Sequence, residues 1–378
     1  MIGRRVAIVG VGYSRVGRHT GLSERHHAAQ AAVAALEDAG LDASDVDGVT
    51  TWGGEATDIA WMLGMGPLSW HLNVGASPAF VTPAVHAAMA VAAGHCETAM
   101  GLRIMMQQPS SAAVAAGQAA LASLGPADAQ FLHPFGDFSP TQWAGLMMNR
   151  YLHDTGATER HFAEFAVAQR QYAALNDDAL QRAPLTVEDY LAAPYVSRPL
   201  RLLDCDLPCD SGSAVVFTTE ERARDLRQPA VFVEASALSS VRDMNFELLV
   251  DMTSTAPAHC AELLWSRTAL GPDDVDCAQV YDGFSVIAFQ WLEALGLCEP
   301  GGAGPFVADG NTQRGGKLPV NTDGGACNVG RRHGANFCIE ATRQLRGQCG
   351  ERQVPGAEVA VWTNAVGPFA GAMLLTAA

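Results

Sequence analysis

The stretch richest in groups able to react or bind an anion runs from Asn321 to Gly347, NTDGGACNVGRRHGANFCIEATRQLRG. Two adjacent glycines, a basic turn of Arg331, Arg332 and His333, and then Gly334 lead into a stretch with helical periodicity. Glycines let backbone approach a ligand closely, and the first turn of the following helix offers N–H groups to an anion or a developing oxyanion. His333, set beside arginines and a helix N-terminus, suits an acid or base that titrates near neutral pH. A second glycine loop, NVGASPAF, puts Ser77 and Pro78 at the cap and first position of another helix, an elbow of the kind that can present a nucleophile. No histidine or acid stands beside Ser77 in the sequence, so its simpler reading is a helix cap. Cys205 and Cys209, in DCDLPCDSG, form the only close cysteine pair, and without a second pair they do not make a zinc site.

Loops of this kind need an α/β scaffold, and the chain can build one. At 378 residues and 48% hydrophobic, it has material for two domains or one large duplicated unit. A net charge of −16 argues against nucleic acid as a partner, so an anionic ligand must be met by local arginines. The opening run MIGRRVAIVGVG is short, β-branched and glycine-interrupted, which reads as a buried strand rather than a signal peptide. No apolar stretch reaches membrane-spanning length, so a cytoplasmic protein with no membrane partner is expected. Nine scattered cysteines fit reduced thiols better than a disulfide framework.

In chain order, Val6 to Gly12 reads as a parallel-type buried strand, and Ser23 caps a helix that runs to Ala39 and closes at Gly40. LDASDVDGVTTWGG is a turn and a strand, the Ser77 elbow opens a helix, and a further strand starts near Cys96. The alternation stops from Gln107 to Pro199, a stretch with helices around Glu159 to Asn176 and Thr186 to Ala192 that reads as an insertion over one face. Strand character returns at Ser211. From Pro229 the first half repeats: PAVFVEASALSS parallels RVAIVGVGYSRV, and Asp274-Val275-Asp276 falls on Asp45-Val46-Asp47. The helix from Ala335 to Gln344 matches the one after Ser77, and EVAVWTNAVG matches CETAMGLRIM. The expected organisation is an N-terminal half over 1–106 and 200–228, a cap over 107–199, and a C-terminal half over 229–378. Its site would lie where the loops around Ser77 and Gly334 face each other.

The duplicated halves, NTDGGACNVGRRHGAN with EATRQLRG, YDGFSVIAFQWLEALGLC and the final WTNAVGPFAGAML resemble the thiolase superfamily. The resemblance is to the branch of sterol-carrier-protein thiolases and lipid-transfer-protein aldolases of bacterial steroid degradation. It spans essentially the whole chain and implies the thiolase fold, an α/β architecture of duplicated βαβαβ halves layered αβαβα under a covering segment. Thiolases of this kind carry a nucleophilic cysteine on the first elbow, a second acid/base cysteine in the C-terminal glycine turn, and a Gly-His-Pro loop at the oxyanion hole. Here the first elbow has Ser77, the C-terminal turn reads Ala365-Val366-Gly367, and the third loop is Gly330-Arg331-Arg332-His333-Gly334.

Tyr281, in YDGF, takes the place of an asparagine or histidine that helps bind an oxyanion in related thiolases. Without that context it would read as a packed ring with its hydroxyl in water. Tyr281 and His333 are the expected acid/base pair. Arg331, Gly334, Gly367 and Ser77 are the expected oxyanion and substrate contacts. Arg331 or Arg332 would favour a tyrosine phenolate or pair with a phosphate of CoA. His133 and Asp137 are candidates for shaping an acyl pocket, against a plain turn. The reaction that needs an enolate pocket but no cysteine is retro-aldol cleavage of a β-hydroxyacyl-CoA, with Gly367 N–H among the donors to the enolate oxygen. The resemblance further implies a steroid side-chain substrate with a tertiary hydroxyl, a homodimer, and an OB-fold companion with a zinc ribbon. CoA is then part of the substrate, no metal or cofactor is expected in this chain, and any zinc sits in the companion. The competing readings are an acyltransferase with a displaced cysteine, Cys327, and a silent acyl-CoA-binding partner.

Overall fold

A computed structural model describes residues 3–74, 80–107, 139–241, 256–366 and 369–378. The first half contains β1 (Val6–Tyr13), α1 (Glu24–Ala39), β2 (Gly48–Trp52), α2 (Ala56–Leu63), β3 (Trp70–Asn73), α3 (Val81–Ala92) and β4 (Thr98–Met105). Next come α4 (Pro140–Thr155), α5 (Glu159–Ala174), α6 (Val187–Ala192) and a small hairpin of β5 (Tyr195–Ser197) with β6 (Leu200–Arg201). The chain then runs through β7 (Ser211–Thr219), β8 (Val231–Ser240), α7 (Ala256–Trp265), β9 (Cys277–Gln279), α8 (Ser285–Ala294), α9 (Ala335–Leu345), β10 (Val359–Val366) and β11 (Phe369–Ala377).

Nine strands hydrogen-bond in the order β3-β2-β4-β7-β1-β8-β11-β10-β9. The halves meet at a short antiparallel contact, Ala7 with Phe232 and Ile8 with Val231. Helix α1 lies on the outer face against β1, β7 and β4, and α7 lies outside the second half against β8 and β11. Helices α3 and α9 each touch strands of both halves and form the middle layer, which completes the αβαβα stack. The first half buries Val9, Val49, Met100 and Val216 under α1, while Ile8, Phe80, Phe217 and Trp362 fill the central core.

Local signals explain the elements. Ser23 accepts from His26 N–H and Gly40 closes α1 in the left-handed region, a cap of the kind that stabilises by about 1 kcal/mol. The internal repeat extends to single hydrogen bonds. Asp47 accepts from the N–H groups of Glu97 and Thr98 at 3.0 and 2.9 Å, and Asp276 accepts from those of Glu358 and Val359 at 2.8 and 2.9 Å. Each aspartate thereby fixes the start of the neighbouring long strand of its own half, β4 or β10. Counted from those anchored residues, Arg103 of β4 and Asn364 of β10 are equivalent positions of the repeat.

One expectation is corrected. β1 is not a parallel strand: it pairs antiparallel with both β7 and β8. A strand buried on both faces reads as a continuous apolar run whichever way its neighbours point. Helix α4, absent from the sequence reading, packs beside α8 and the β5–β6 hairpin.

Candidate active site

Three loops interlock around the end of β9. Asp206 N–H donates to Gly283 O at 3.1 Å, Leu207 N–H to Ala326 O at 3.2 Å, and Arg331 N–H to Leu207 O at 2.6 Å. The DCDLPC, YDGF and GGACNVGRRHG stretches are thus tied into one wall. Phe80, next to the first-half elbow, donates its N–H to His333 O at 2.9 Å, so the two helix-bearing loops do meet. Ser77 itself, Gly367, His133 and Asp137 lie outside the described residues.

Tyr281 follows β9, with its N–H on Thr363 Oγ1 at 3.1 Å and its ring edge-on to Phe337 at 6.4 Å. Its hydroxyl folds against Gly283, where any Cβ would overlap it, so the glycine is required by the tyrosine's pose. Burial raises the phenol's pKa, and the Asp206 carboxylate adds to the rise against the opposing charge of Arg331. The resting group is a phenol, which reverses the expectation that an arginine makes it a phenolate.

The two arginines have separate jobs. Arg331 makes an ion pair with Asp206, Nε to Oδ1 2.8 Å and Nη2 to Oδ1 2.7 Å, so much of its charge is already answered. Arg332 is 1% exposed. It donates to Asp178 O and Val329 O and lies 4.1 Å over the Tyr13 ring, which makes it a structural group facing away from the tyrosine of the site.

His333 adopts φ +47°, the left-handed region that a non-glycine residue seldom occupies. It is partly exposed, its ring stacks on Trp52 with centroids 5.0 Å apart, and Arg103 Nη2 lies 2.8 Å from its Nδ1. Burial, then Arg103 and Arg331, push its pKa well below the usual histidine range. His333 is therefore a neutral imidazole, and the expected titration near neutral pH is corrected. Gly334 caps α9 at φ +86°, pressed against Asn364, a buried side chain of β10. Arg103 and Asn364, equivalent positions of the two halves, thus hold the His333–Gly334 turn from either side.

Burial keeps the thiols of Cys327 and Cys209 protonated. Cys327 Sγ lies 3.4 Å from Asp282 O, and burial with the charges of Asp282 and Asp206 raises its pKa well above the ordinary thiol value. Cys209 Sγ lies 3.6 Å from Arg331 O, and burial raises its pKa too, against the opposing charge of Arg332. Among the described residues no group of three or more histidine, cysteine or acidic side chains gathers as a metal site. What the wall presents is a neutral phenol, a neutral imidazole and a buried guanidinium, a set able to hold a carbonyl oxygen as it becomes an enolate.

Sequence reasoning missed Arg103, Trp52 and Asp206. Arg103 had a signal: it is the one charge in the buried strand TAMGLRIM. Asp206 was hidden between two cysteines that drew a metal reading.

Residues 239–376 match the family described as thiolase C-terminal domain-like. The chain is 36% identical to a steroid side-chain-cleaving aldolase of Thermomonospora curvata, over 90% of each. It is 35% identical to the 17-hydroxy-3-oxo-4-pregnene-20-carboxyl-CoA lyase of Mycobacterium tuberculosis, over 99% of this chain and 100% of the other. A solved structure titled Ltp2-ChsH2(DUF35) aldolase superposes with a TM-score of 0.89 at 33% identity, covering 100% of this chain and 99% of that one. A monomeric SCP2-thiolase-like protein of Mycobacterium smegmatis, 18% identical with a TM-score of 0.70, covers 98% of this chain and 77% of its own and shares the fold. No helix among the described residues is long and apolar enough to cross a membrane.

Proposed function

The chain belongs to the thiolase superfamily, in the branch of sterol-carrier-protein thiolases and steroid side-chain-cleaving aldolases, and from that premise we propose the reaction and the residues that carry it. It is a carbon–carbon lyase: it cleaves a steroid side-chain β-hydroxyacyl-CoA by a retro-aldol reaction, releasing a ketone and a shortened acyl-CoA. The observation that carries this reading is a thiolase scaffold whose described site thiols are held protonated, with a phenol and an imidazole on the same wall.

The reaction asks for two services. The hydroxyl proton must leave as the C–C bond breaks, and a proton must reach the enolate carbon, while the thioester oxygen carries charge in between. Tyr281 and His333 perform these services together, with Gly367 N–H as a further donor to the oxygen. The Arg331–Asp206 pair holds the loops in register behind Tyr281, and Gly334 sets the turn that presents His333. No redox or metal step enters, since both proton transfers use side chains of this chain.

The chain works as a homodimer in the cytoplasm and in complex with an OB-fold zinc-ribbon companion. The support for the companion is the full-length likeness to the aldolase whose structure is titled as a complex with ChsH2 (DUF35). The test is to incubate the chain, alone and with that companion, with a β-hydroxyacyl-CoA bearing a tertiary hydroxyl. Equimolar ketone and shortened acyl-CoA are expected from the complex. A complex that leaves a steroid side-chain substrate of this type intact overturns the reading.

A further inference from the structure

Arg103 is a buried arginine in β4 that the reaction as described does not use. Its Nη1 donates to Trp52 O at 3.0 Å and also to Ile104 O, and its Nη2 reaches Met105 Sδ at 3.1 Å and His333 Nδ1 at 2.8 Å. The guanidinium lies 3.9 Å over the Trp52 ring, on whose indole His333 also stacks. Each of these acceptors is uncharged, and Nε has no acceptor among the described residues. A buried cation without a carboxylate bonded to it is costly to keep, which calls for a use.

The use follows from the direction of one hydrogen bond. A guanidinium has five N–H donors, no acceptor and no accessible neutral form in a protein. The contact with His333 therefore runs from Arg103 to a bare Nδ1, and a neutral ring must then carry its proton on Nε2. We propose that Arg103 is a positioning residue that fixes His333 as the Nε2–H tautomer, so that His333 donates a hydrogen bond to the thioester oxygen and Tyr281 alone moves the proton. This rests on the retro-aldol reading of the same site.

The electron and proton count closes without a co-reactant. The neutral Tyr281 hydroxyl is a relay: its oxygen takes the substrate's hydroxyl proton as its own proton leaves for the α-carbon, and the substrate O–H pair becomes the second bond of the ketone. The C–C pair passes into the thioester as an enolate held by His333 Nε2–H. At the α-carbon that pair takes the proton Tyr281 gives up, and Tyr281 ends as the neutral phenol it began as. The charges bearing on the imidazole are Arg103 from β4 and Arg331 from its own loop, both opposing protonation, while β2 contributes only the uncharged face of Trp52.

The test uses the aldolase–companion complex with [15N]histidine-labelled enzyme, His333 being assigned by comparison with His333→Gln. Nitrogen–proton correlation spectra from pH 6 to 9 should show His333 as a neutral Nε2–H ring throughout. In Arg103→Met the ring should gain Nδ1–H or titrate in this range. Its kcat at pH 8 should fall on the order of 10- to 100-fold with KM within about threefold, and Arg103→Lys should recover most of the loss. An Nδ1–H or protonated His333 in the wild type overturns the proposal, and so does an Arg103→Met enzyme with the wild-type tautomer and kcat. If Arg103→Met does not fold, the wild-type spectrum and Arg103→Lys decide. If the complex cleaves no substrate, the function reading falls while the spectra still decide the tautomer.

Discussion

Replacing Gly334 by alanine tests the turn that presents His333. Gly334 sits at φ +86° and ψ −9°, and an L-residue held in the left-handed region costs roughly 1–2 kcal/mol. The new Cβ would overlap the Asn364 amide, with Asn364 Cγ 3.2 Å away. Asn364 is fully buried in β10, so either its amide swings or the turn lifts off the sheet, and overpacking of this kind costs about 1–3 kcal/mol. The expected loss of stability is about 2–5 kcal/mol. Gly347→Ala is the control: its φ is +69°, but nothing lies within 4 Å of the added carbon, so only the backbone cost of about 1 kcal/mol is expected. Urea unfolding at a constant m-value measures both. Because His333 adjoins the clash, a shift of about 1 Å should lower kcat by about 100-fold in Gly334→Ala and leave Gly347→Ala near wild type. Equal stability losses with full activity in both would show that Asn364 does not crowd this turn and that the turn does not position His333.

Tyr281→Phe keeps the ring against Phe337 and removes only the hydroxyl, so kcat of the complex should drop by about 10²–10⁴ with little change in KM, read by steady-state kinetics. A variant within threefold of wild type would remove Tyr281 from the chemistry. Cys327→Ala should retain cleavage activity, and intact mass after acyl-CoA treatment should show no thioester on Cys327, because the thiol is held protonated. Asp282 is buried and its pKa is pushed up to about 7, above its unfolded value, so its contribution to stability is present below pH 4 and lost as pH rises through 7. Asp282→Asn should remove that loss. Relative to wild type, its unfolding free energy should improve by on the order of 3 kcal/mol between pH 4 and pH 8, and a difference that stays flat with pH would contradict the buried charge.

The repeat was the most legible part of the fold because it is written in local chemistry. Asp45-Val46-Asp47 and Asp274-Val275-Asp276 each make a short turn and then fix the start of a neighbouring strand, so similar residues reappear at similar tasks. Ser23 and Gly40 marked α1 for the same reason. Strand direction was not legible, since the apolar run of β1 is the same in either orientation. Helix α4 was missed with Gly145 standing in its middle, which weakens a local helical signal.

In the site, the loop carrying His333 stood out through its glycines, but the state of His333 depends on Arg103, 230 residues away. The partner of Arg331 was similarly remote: Asp206, 125 residues earlier, takes the charge that sequence reasoning had assigned to the tyrosine or to a phosphate. Residue types announced which groups were able to react. Their protonation followed from partners that only the folded chain brings close.

In the proposed reaction a thiolase scaffold breaks a carbon–carbon bond by moving a proton, with no acyl-enzyme. The most direct measurement is to run the cleavage in D2O with the companion present and to follow products and intact enzyme mass together. One deuterium at the α-carbon of each shortened acyl-CoA, one ketone per acyl-CoA, and an enzyme of unchanged mass are predicted. An acyl group on the enzyme that free CoA chases into product would show an acyl-enzyme and rule out the retro-aldol reaction.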